Sequence, residues 1–158
     1  MRIFAILAAV ILSAVILVSV VKAQSKPYDE SADARTILQT ALASAKTDRK
    51  PVFVIFGANW CADCRALDRA IQEGRNAALI TRSFSVVKIN VGNFDKNLDI
   101  VNAYGSPIKQ GIPAAVILSA DGQIIYATRP GELAEARQMG EAGIYDFLVG
   151  VTKRAGIR

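Results

Sequence analysis

The sequence predicts an α/β sandwich whose sheet combines a parallel part with an antiparallel hairpin. Two observations indicate this class. Continuous apolar runs of strand length alternate with segments in which apolar residues recur at helical spacing. Two later apolar runs flank Asp121-Gly122, a dipeptide typical of a tight hairpin turn. Alternation of helices and strands favours parallel pairing, and the hairpin adds antiparallel pairing.

The first half of the domain contains three predicted elements. An amphipathic helix between Ser31 and Lys50-Pro51 is indicated by Ala34, Ile37, Leu38, Ala41, Leu42 and Ala45. The run Val52 to Phe56 is apolar throughout and ends at Gly57, as expected for a central strand buried on both faces. A second helix, marked by Cys64, Leu67, Ala70 and Ile71, fades by Gly74.

The second half completes the order α-β-α-β-α-β-β-α. Its elements are a strand over Phe84 to Val91, a short helix over Leu98 to Tyr104, hairpin strands over Ala114 to Leu118 and Gln123 to Ala127, and a terminal amphipathic helix with Ile144, Phe147, Leu148 and Val151. Residues 129 to 143 lengthen the connection before this last helix. We expect a loop or small helix packed beside the sheet there, and we assign it no chemical role.

The N-terminal segment has the pattern of an export signal. Arg2 is followed by nineteen residues, Ile3 to Val21, that only two serines interrupt. Val21 and Ala23 then occupy the −3 and −1 positions of a signal-peptidase site, after which the chain turns polar. We therefore predict a signal peptide over residues 1–23, and cleavage after Ala23 leaves 135 of the 158 residues.

An uncleaved membrane anchor is the alternative interpretation of this segment. Nineteen helical residues reach about 28 Å, close to the roughly 30 Å thickness of the hydrocarbon core. In either case Arg2 stays inside and the domain is exported, which predicts a periplasmic or other extracytoplasmic location, with or without attachment to the inner membrane. Residues 24–30 are expected to be an exposed lead-in to the domain, which covers residues 31–158.

Composition excludes several classes of function. The chain contains no histidine, which rules out Ser-His-Asp and Cys-His catalysis and every metal site with a histidine ligand. Outside the N-terminal segment, 17 basic and 14 acidic residues give a net charge of only +3. This excess is too small and too scattered to indicate a nucleic-acid partner. Any special chemistry therefore depends on the two cysteines.

The candidate catalytic residues are Cys61 and Cys64, which enclose Ala62 and Asp63. They follow the predicted central strand and open the next helix, so the Cys61 sulfur is expected near unpaired N–H groups that favour a thiolate. Two intervening residues allow the sulfurs to join. A mixed disulfide formed by Cys61 with a substrate is then resolved by Cys64.

Two other interpretations of the cysteine pair are less favoured. A structural bridge between residues three apart closes a very small loop and constrains the unfolded chain little. A zinc or iron–sulfur site needs four ligands, and this chain would have to supply the others from carboxylates or from another subunit. A Cys-x-x-Cys pair between a buried strand and a helix is the stronger signal for redox chemistry, which requires no metal and no organic cofactor.

The segment Phe56 to Arg65, FGANWCADCR, resembles the strand, aromatic residue, Cys-x-x-Cys pair and following basic residue of the thioredoxin superfamily. Gly111 to Ala114, together with the turn at Asp121-Gly122, resembles the second landmark of that family. The resemblance covers residues 34 to 153. With the export signal, the chain looks like bacterial periplasmic thioredoxin-like proteins.

This resemblance implies a thioredoxin-like three-layer sandwich, with a mixed central sheet flanked by helices. It implies Cys61 as the nucleophile, Cys64 as the resolving cysteine and Trp60 as a flat substrate contact. It also implies a cis bond between Ile112 and Pro113 that turns the Ile112 backbone toward the sulfurs, where its N–H and C=O are open to an extended substrate.

The chain departs from the family pattern at two places. Ile55 stands where thioredoxins have a buried aspartate six residues before the first cysteine. Asp68, four residues after Cys64, is a candidate replacement for that acid, but we favour an exposed helix-surface position for it. The residues between the cysteines are Ala-Asp rather than Gly-Pro, so the redox direction does not follow from the family. We infer that the Asp63 carboxylate repels the Cys61 thiolate and thereby makes the Cys61–Cys64 couple more reducing.

The sequence therefore predicts an exported thiol–disulfide oxidoreductase that acts on protein or peptide disulfides and thiols. In an oxidising compartment it requires a membrane or periplasmic redox partner, which the sequence does not identify. The alternative function is a thioredoxin-fold binding module in which the bridge between Cys61 and Cys64 is only structural.

Overall fold

The computed structural model describes residues 26 to 157, which form a mixed sheet with helices on both faces. The strands are β1 (Val52–Gly57), β2 (Ser85–Asn90), β3 (Ala114–Leu118) and β4 (Ile124–Ala127). The helices are α1 (Ala34–Asp48), α2 (Ala62–Ile71), α3 (Gly74–Ser83), α4 (Leu98–Ala103) and α5 (Ala136–Arg154), and a 3₁₀ turn covers Pro107–Gln110. The predicted three-layer class is confirmed.

Strand β1 is central in the sheet order β2-β1-β3-β4. It pairs in parallel with β2 and antiparallel with β3, and all six of its residues are buried, as its continuous apolar run predicts. The register places Phe56 opposite Ala114. The chain that leaves β1 therefore lies beside the chain that enters β3.

Alternate residues of β1 contribute to two separate cores. Val54 and Phe56 pack with α1 and α4 on one face of the sheet. Phe53 and Ile55 pack with α2, α3 and α5 on the other face, where the ring of Phe53 lies 5.4 Å from that of Phe84. This two-sided packing gives α2 a fixed position over the end of β1.

Most predicted elements are confirmed, but α3 is missing from the sequence prediction. The sequence analysis predicted that the second helix ends near Gly74, and it predicted no further helix or strand before β2. In the structure Gly74 has a φ of +51° and is the first residue of a new helix, α3. This helix buries Leu79 and Ile80, whose spacing is too short to stand out as an independent pattern.

The connection over residues 129 to 143 is a packed turn followed by the start of α5. Leu133 and Ala136 are buried beside the sheet, as predicted. Gly140 interrupts the helical backbone with a φ of 62° and a ψ of −176°. The kink separates the first turn of α5 from the terminal amphipathic part, which buries Ile144 and Leu148.

The lead-in over residues 24–30 is not exposed throughout. Lys26, Asp29 and Glu30 are exposed, but Tyr28 is buried, so the expectation of exposure is wrong at this residue. The Tyr28 N–H donates to Asn59 Oδ1 at 3.0 Å, and Asn59 Nδ2 donates to the Tyr28 carbonyl at 2.7 Å. The folded unit therefore begins before α1.

The predicted signal segment, residues 1–23, lies outside the described residues. Among the helices of residues 26 to 157, none is long and apolar enough to cross a membrane.

Gly57, the last residue of β1, provides a test of the packing between β1 and Tyr28. A Cβ at Gly57 would lie 2.3 Å from Tyr28 Oη, so Gly57→Ala is expected to lower the free energy of unfolding by about 1–3 kcal/mol through overpacking. Gly150→Ala is the matched control, because a Cβ in this part of α5 meets nothing within 4 Å. The control should be neutral or stabilising by up to about 1 kcal/mol. Denaturant unfolding of both oxidised variants checks the prediction, and equal stabilities would contradict it.

Candidate active site

The first cysteine caps the helix that follows the central strand. Cys61 is the N-cap residue of α2, and its Sγ accepts a hydrogen bond from the Cys64 N–H at 3.0 Å. The loop before it is closed by the Cys61 N–H, which donates to the Ala58 carbonyl, and by Arg65 Nη1, which donates to the Asn59 carbonyl at 2.5 Å. The sulfur thus occupies the place of a capping oxygen, where N–H groups and the helix dipole favour negative charge.

Cys61 and Cys64 form a disulfide with their Cα atoms 5.2 Å apart, which confirms the predicted pairing. Cys61 retains 5% of its surface exposed and Cys64 retains 0%. The sulfur nearer solvent is also the one at the helix terminus. This arrangement fits attack by Cys61 and resolution by the deeper Cys64, the roles that the sequence resemblance implies.

The loop before β3 faces the sulfurs. The Ile112–Pro113 bond is cis, as expected, and the Ile112 carbonyl oxygen lies 3.4 Å from Cys61 Sγ. This proximity follows from the β1–β3 register, which joins the two loops at one edge of the sheet. In the part of the chain that the structure describes, the Ile112 N–H makes no backbone hydrogen bond.

An exposed aromatic surface borders the cysteines on the β2 side. Trp60 is 54% exposed and its Nε1 donates to the Gly92 carbonyl at 2.9 Å. Its ring lies 6.1 Å from that of Phe94, which is 42% exposed and has a φ of +64°, an unusual conformation for a bulky residue. The sequence prediction identified Trp60 and missed Phe94, whose only signal is an aromatic residue within a polar loop.

Asp63 is paired, whereas the sequence analysis treated it as an isolated carboxylate. Its Oδ1 accepts hydrogen bonds from the Arg137 backbone N–H at 3.0 Å and from Arg137 Nε at 3.2 Å. Burial acts to raise the pKa of Asp63, but the bonds from Arg137 and its positive charge more than offset this and hold the pKa below its usual value. The stretch over residues 129 to 143, to which no chemical role was assigned, therefore supplies a cation to the active site through the first turn of α5.

Asp68 is buried, so the expectation that it lies on an exposed helix surface is wrong. It is 5% exposed and forms an ion pair with Lys88 Nζ. Lys88 is paired with Ile55 in the β1–β2 register, directly beside the position where the family has its buried aspartate. In this chain the buried carboxylate comes from α2 instead of β1, one helical turn after Cys64.

Three features define the class of this protein: a mixed sheet, a helix that begins at a buried Cys-x-x-Cys disulfide, and a cis-proline loop that faces this disulfide. That is the site of a thiol–disulfide oxidoreductase with a thioredoxin fold. The sequence model of the thioredoxin-like family matches residues 33–120. The chain belongs to this family.

Solved structures agree with this assignment. A disulphide isomerase from Xylella fastidiosa Temecula1 shares 54% sequence identity, with 82% of this chain and 99% of that chain covered and a TM-score of 0.79. A thioredoxin from Thermus thermophilus (19% identity, 75% and 85% covered, TM-score 0.55) and a DsbH oxidoreductase (18% identity, 75% and 81% covered, TM-score 0.52) share the fold. A comparison with curated protein sequences gave no match.

Proposed function

We propose that this protein exchanges disulfides with protein or peptide substrates outside the cytoplasm, and that it acts mainly as a reductant of these substrates. The observation that supports this most directly is the position of Cys61 Sγ, which is capped by the Cys64 N–H and lies 3.4 Å from the Ile112 carbonyl oxygen. A sulfur held in this way is poised to attack a disulfide that approaches from the side of Ile112.

The exchange has two steps. The Cys61 thiolate attacks one sulfur of the substrate disulfide, forms a mixed disulfide and releases the other substrate sulfur as a thiolate. Cys64 then attacks Cys61 Sγ, which restores the Cys61–Cys64 bond and releases the second substrate sulfur. The substrate gains two electrons and two protons, and the cysteine pair loses them.

The surroundings of Cys61 favour an extended polypeptide as the substrate. The Ile112 N–H and C=O offer a donor and an acceptor to a passing strand, in the manner of strand addition to a sheet. Trp60 supplies an adjacent flat apolar contact, and Pro113 holds the loop in place. The relative that shares 54% identity is described as a disulphide isomerase, which supports a role on protein disulfides.

The location proposed for this activity rests on the N-terminal sequence, with its basic start, long apolar run and Val21-Lys22-Ala23 site. An export signal directs a protein to an oxidising compartment, and protein disulfides form and persist in such compartments. A reductant there requires an electron donor, so a membrane or periplasmic redox partner completes the proposal. Retention of the segment as an anchor would hold the domain at the inner membrane.

The assigned roles of the cysteines predict opposite outcomes for two variants. Cys64→Ser should accumulate mixed disulfides with a disulfide-bonded polypeptide, whereas Cys61→Ser should form none, as seen on non-reducing gels. Equilibration of the wild-type couple with glutathione buffers should give a measurable redox equilibrium. A purely structural bridge, as in a binding module, would instead resist reduction, with a potential below about −300 mV, and neither variant would trap a substrate.

Variants of Asp63 and Arg137 test the electrostatic argument for a reductant. Asp63→Asn keeps an acceptor for the Arg137 N–H but removes a negative charge, so the pKa of Cys61 should fall by about half a unit and the reduction potential should become less negative. Arg137→Gln should shift both quantities the other way. Thiolate absorbance against pH and equilibration with glutathione measure the two effects, which should shrink at high salt. Shifts in the same direction for both variants would contradict this electrostatic account.

The export proposal predicts a mature N-terminus at Gln24. Intact-mass measurement of the protein from its native host, after separation of membrane and extracytoplasmic fractions, should find a chain that has lost residues 1–23. A chain that still begins at Met1 in the membrane fraction would establish the anchor instead.

A further inference from the structure

The phenol of Tyr28 lies beside the resolving cysteine. A Cβ at Gly57 would lie 2.3 Å from Tyr28 Oη and 3.0 Å from Cys64 Sγ, so the hydroxyl and the sulfur border the same small space. Tyr28 is only 2% exposed, and Cys64 is fully buried. A neutral hydrogen-bond donor is thus placed near a buried sulfur that must ionise during disulfide exchange.

The position of this phenol is fixed by the active-site loop itself. Asn59, two residues before Cys61, holds the Tyr28 backbone through both its N–H and its carbonyl. Asn59 Nδ2 also donates to Glu30 Oε1 at 2.8 Å, which secures the next turn of the same segment. Residues 28 to 30 are therefore part of the wall around the cysteine pair, although they precede every helix and strand of the described residues.

Most cations near Cys64 are paired with another group, and Tyr28 is a neutral hydrogen-bond donor beside this sulfur. The titratable and charged groups nearest this sulfur in the chain or facing it are Tyr28 in the segment before α1, Cys61, Arg65, Asp68 and Arg69 on α2, Lys88 on β2, and the pair of Asp63 with Arg137. Arg65 is engaged by the Asn59 carbonyl. Lys88 is engaged by Asp68, and Arg137 is engaged by Asp63. Burial and, next, the charge of Asp68 raise the pKa of Tyr28 above its usual value, so the phenol stays protonated at neutral pH.

We propose that Tyr28 is a positioning residue for the resolving step: its hydroxyl donates a hydrogen bond to Cys64 Sγ as this sulfur becomes a thiolate. The inference rests on the proposed function, since it concerns the release of the mixed disulfide. Cys64 gives its proton to water, and its thiolate attacks Cys61 Sγ. The bond between Cys61 and the substrate sulfur breaks, and the substrate sulfur leaves with the electron pair and takes a proton from water. Tyr28 keeps its own proton throughout.

Tyr28→Phe tests this role, because it keeps the ring that fills the space above Gly57 and removes only the donor. Reduced protein is mixed with dithiobis(nitrobenzoate), which yields one coloured thiolate when Cys61 attacks and a second when Cys64 resolves the mixed disulfide. The second release is first-order and independent of reagent concentration, so stopped-flow absorbance separates the two steps. Its rate is measured against pH.

Tyr28→Phe should slow the second release about tenfold at neutral pH and move the midpoint of its pH profile up by about one unit, because a hydrogen bond to the charged sulfur is lost. The first release should be unchanged. Tyr104→Phe, which removes a half-buried hydroxyl at the end of α4, is the matched control and should alter neither step.

The possible results separate the two proposals. An unchanged second release in Tyr28→Phe, or an equal slowing of both releases, would overturn the role of Tyr28 while leaving the proposed function intact. A wild-type protein that never gives the second release would overturn the proposed function, and the role of Tyr28 with it. A shift confined to the second step supports both.

Discussion

The burial of β1 on both faces is the constraint on which the rest of the structure depends. Because this strand pairs with β2 on one side and β3 on the other, its C-terminal end brings three chain segments to one place. The loop with Cys61, the loop with Ile112 and the segment with Tyr28 all meet there. The strand also anchors α2, whose N-terminus supplies the field at the reactive sulfur.

Gly57 is the position at which this constraint is most stringent. Every other residue of β1 fills its side of the core with a large apolar side chain, and Gly57 alone leaves room. That room is shared by the Tyr28 hydroxyl and the Cys64 sulfur. Because Gly57 has no side chain, Tyr28 and Cys64 both lie against the end of the central strand.

Helix α2 carries two carboxylates near its cysteines, and the fold neutralises each with a cation from a distant element. Asp63 is matched by Arg137 of α5 on the outer side, and Asp68 by Lys88 of β2 on the inner side. Unpaired, either charge would oppose the formation of a thiolate. The cation of each pair weakens this opposition.

Local patterns in the sequence were sufficient for the strand and the cysteine pair, whereas the cis-proline loop was predicted only through the resemblance to the thioredoxin superfamily. The apolar run of β1 and the position of Cys61 at a helix start are properties of neighbouring residues, so a short window reveals them. The pairing of Asp63 with Arg137 joins residues 74 apart, and nothing local indicates it. Tyr28 is a single aromatic residue in a polar stretch, with no periodicity to mark it as buried.

The end of α5 lies far from the cysteines. Ala155 and Ile157 lie beside Pro51 and Ser83, which adjoin the start of β1, whereas Cys61 follows the other end of this strand of about 20 Å. A fusion partner or a surface linker joined after Ile157 would therefore leave the substrate face open to large polypeptides.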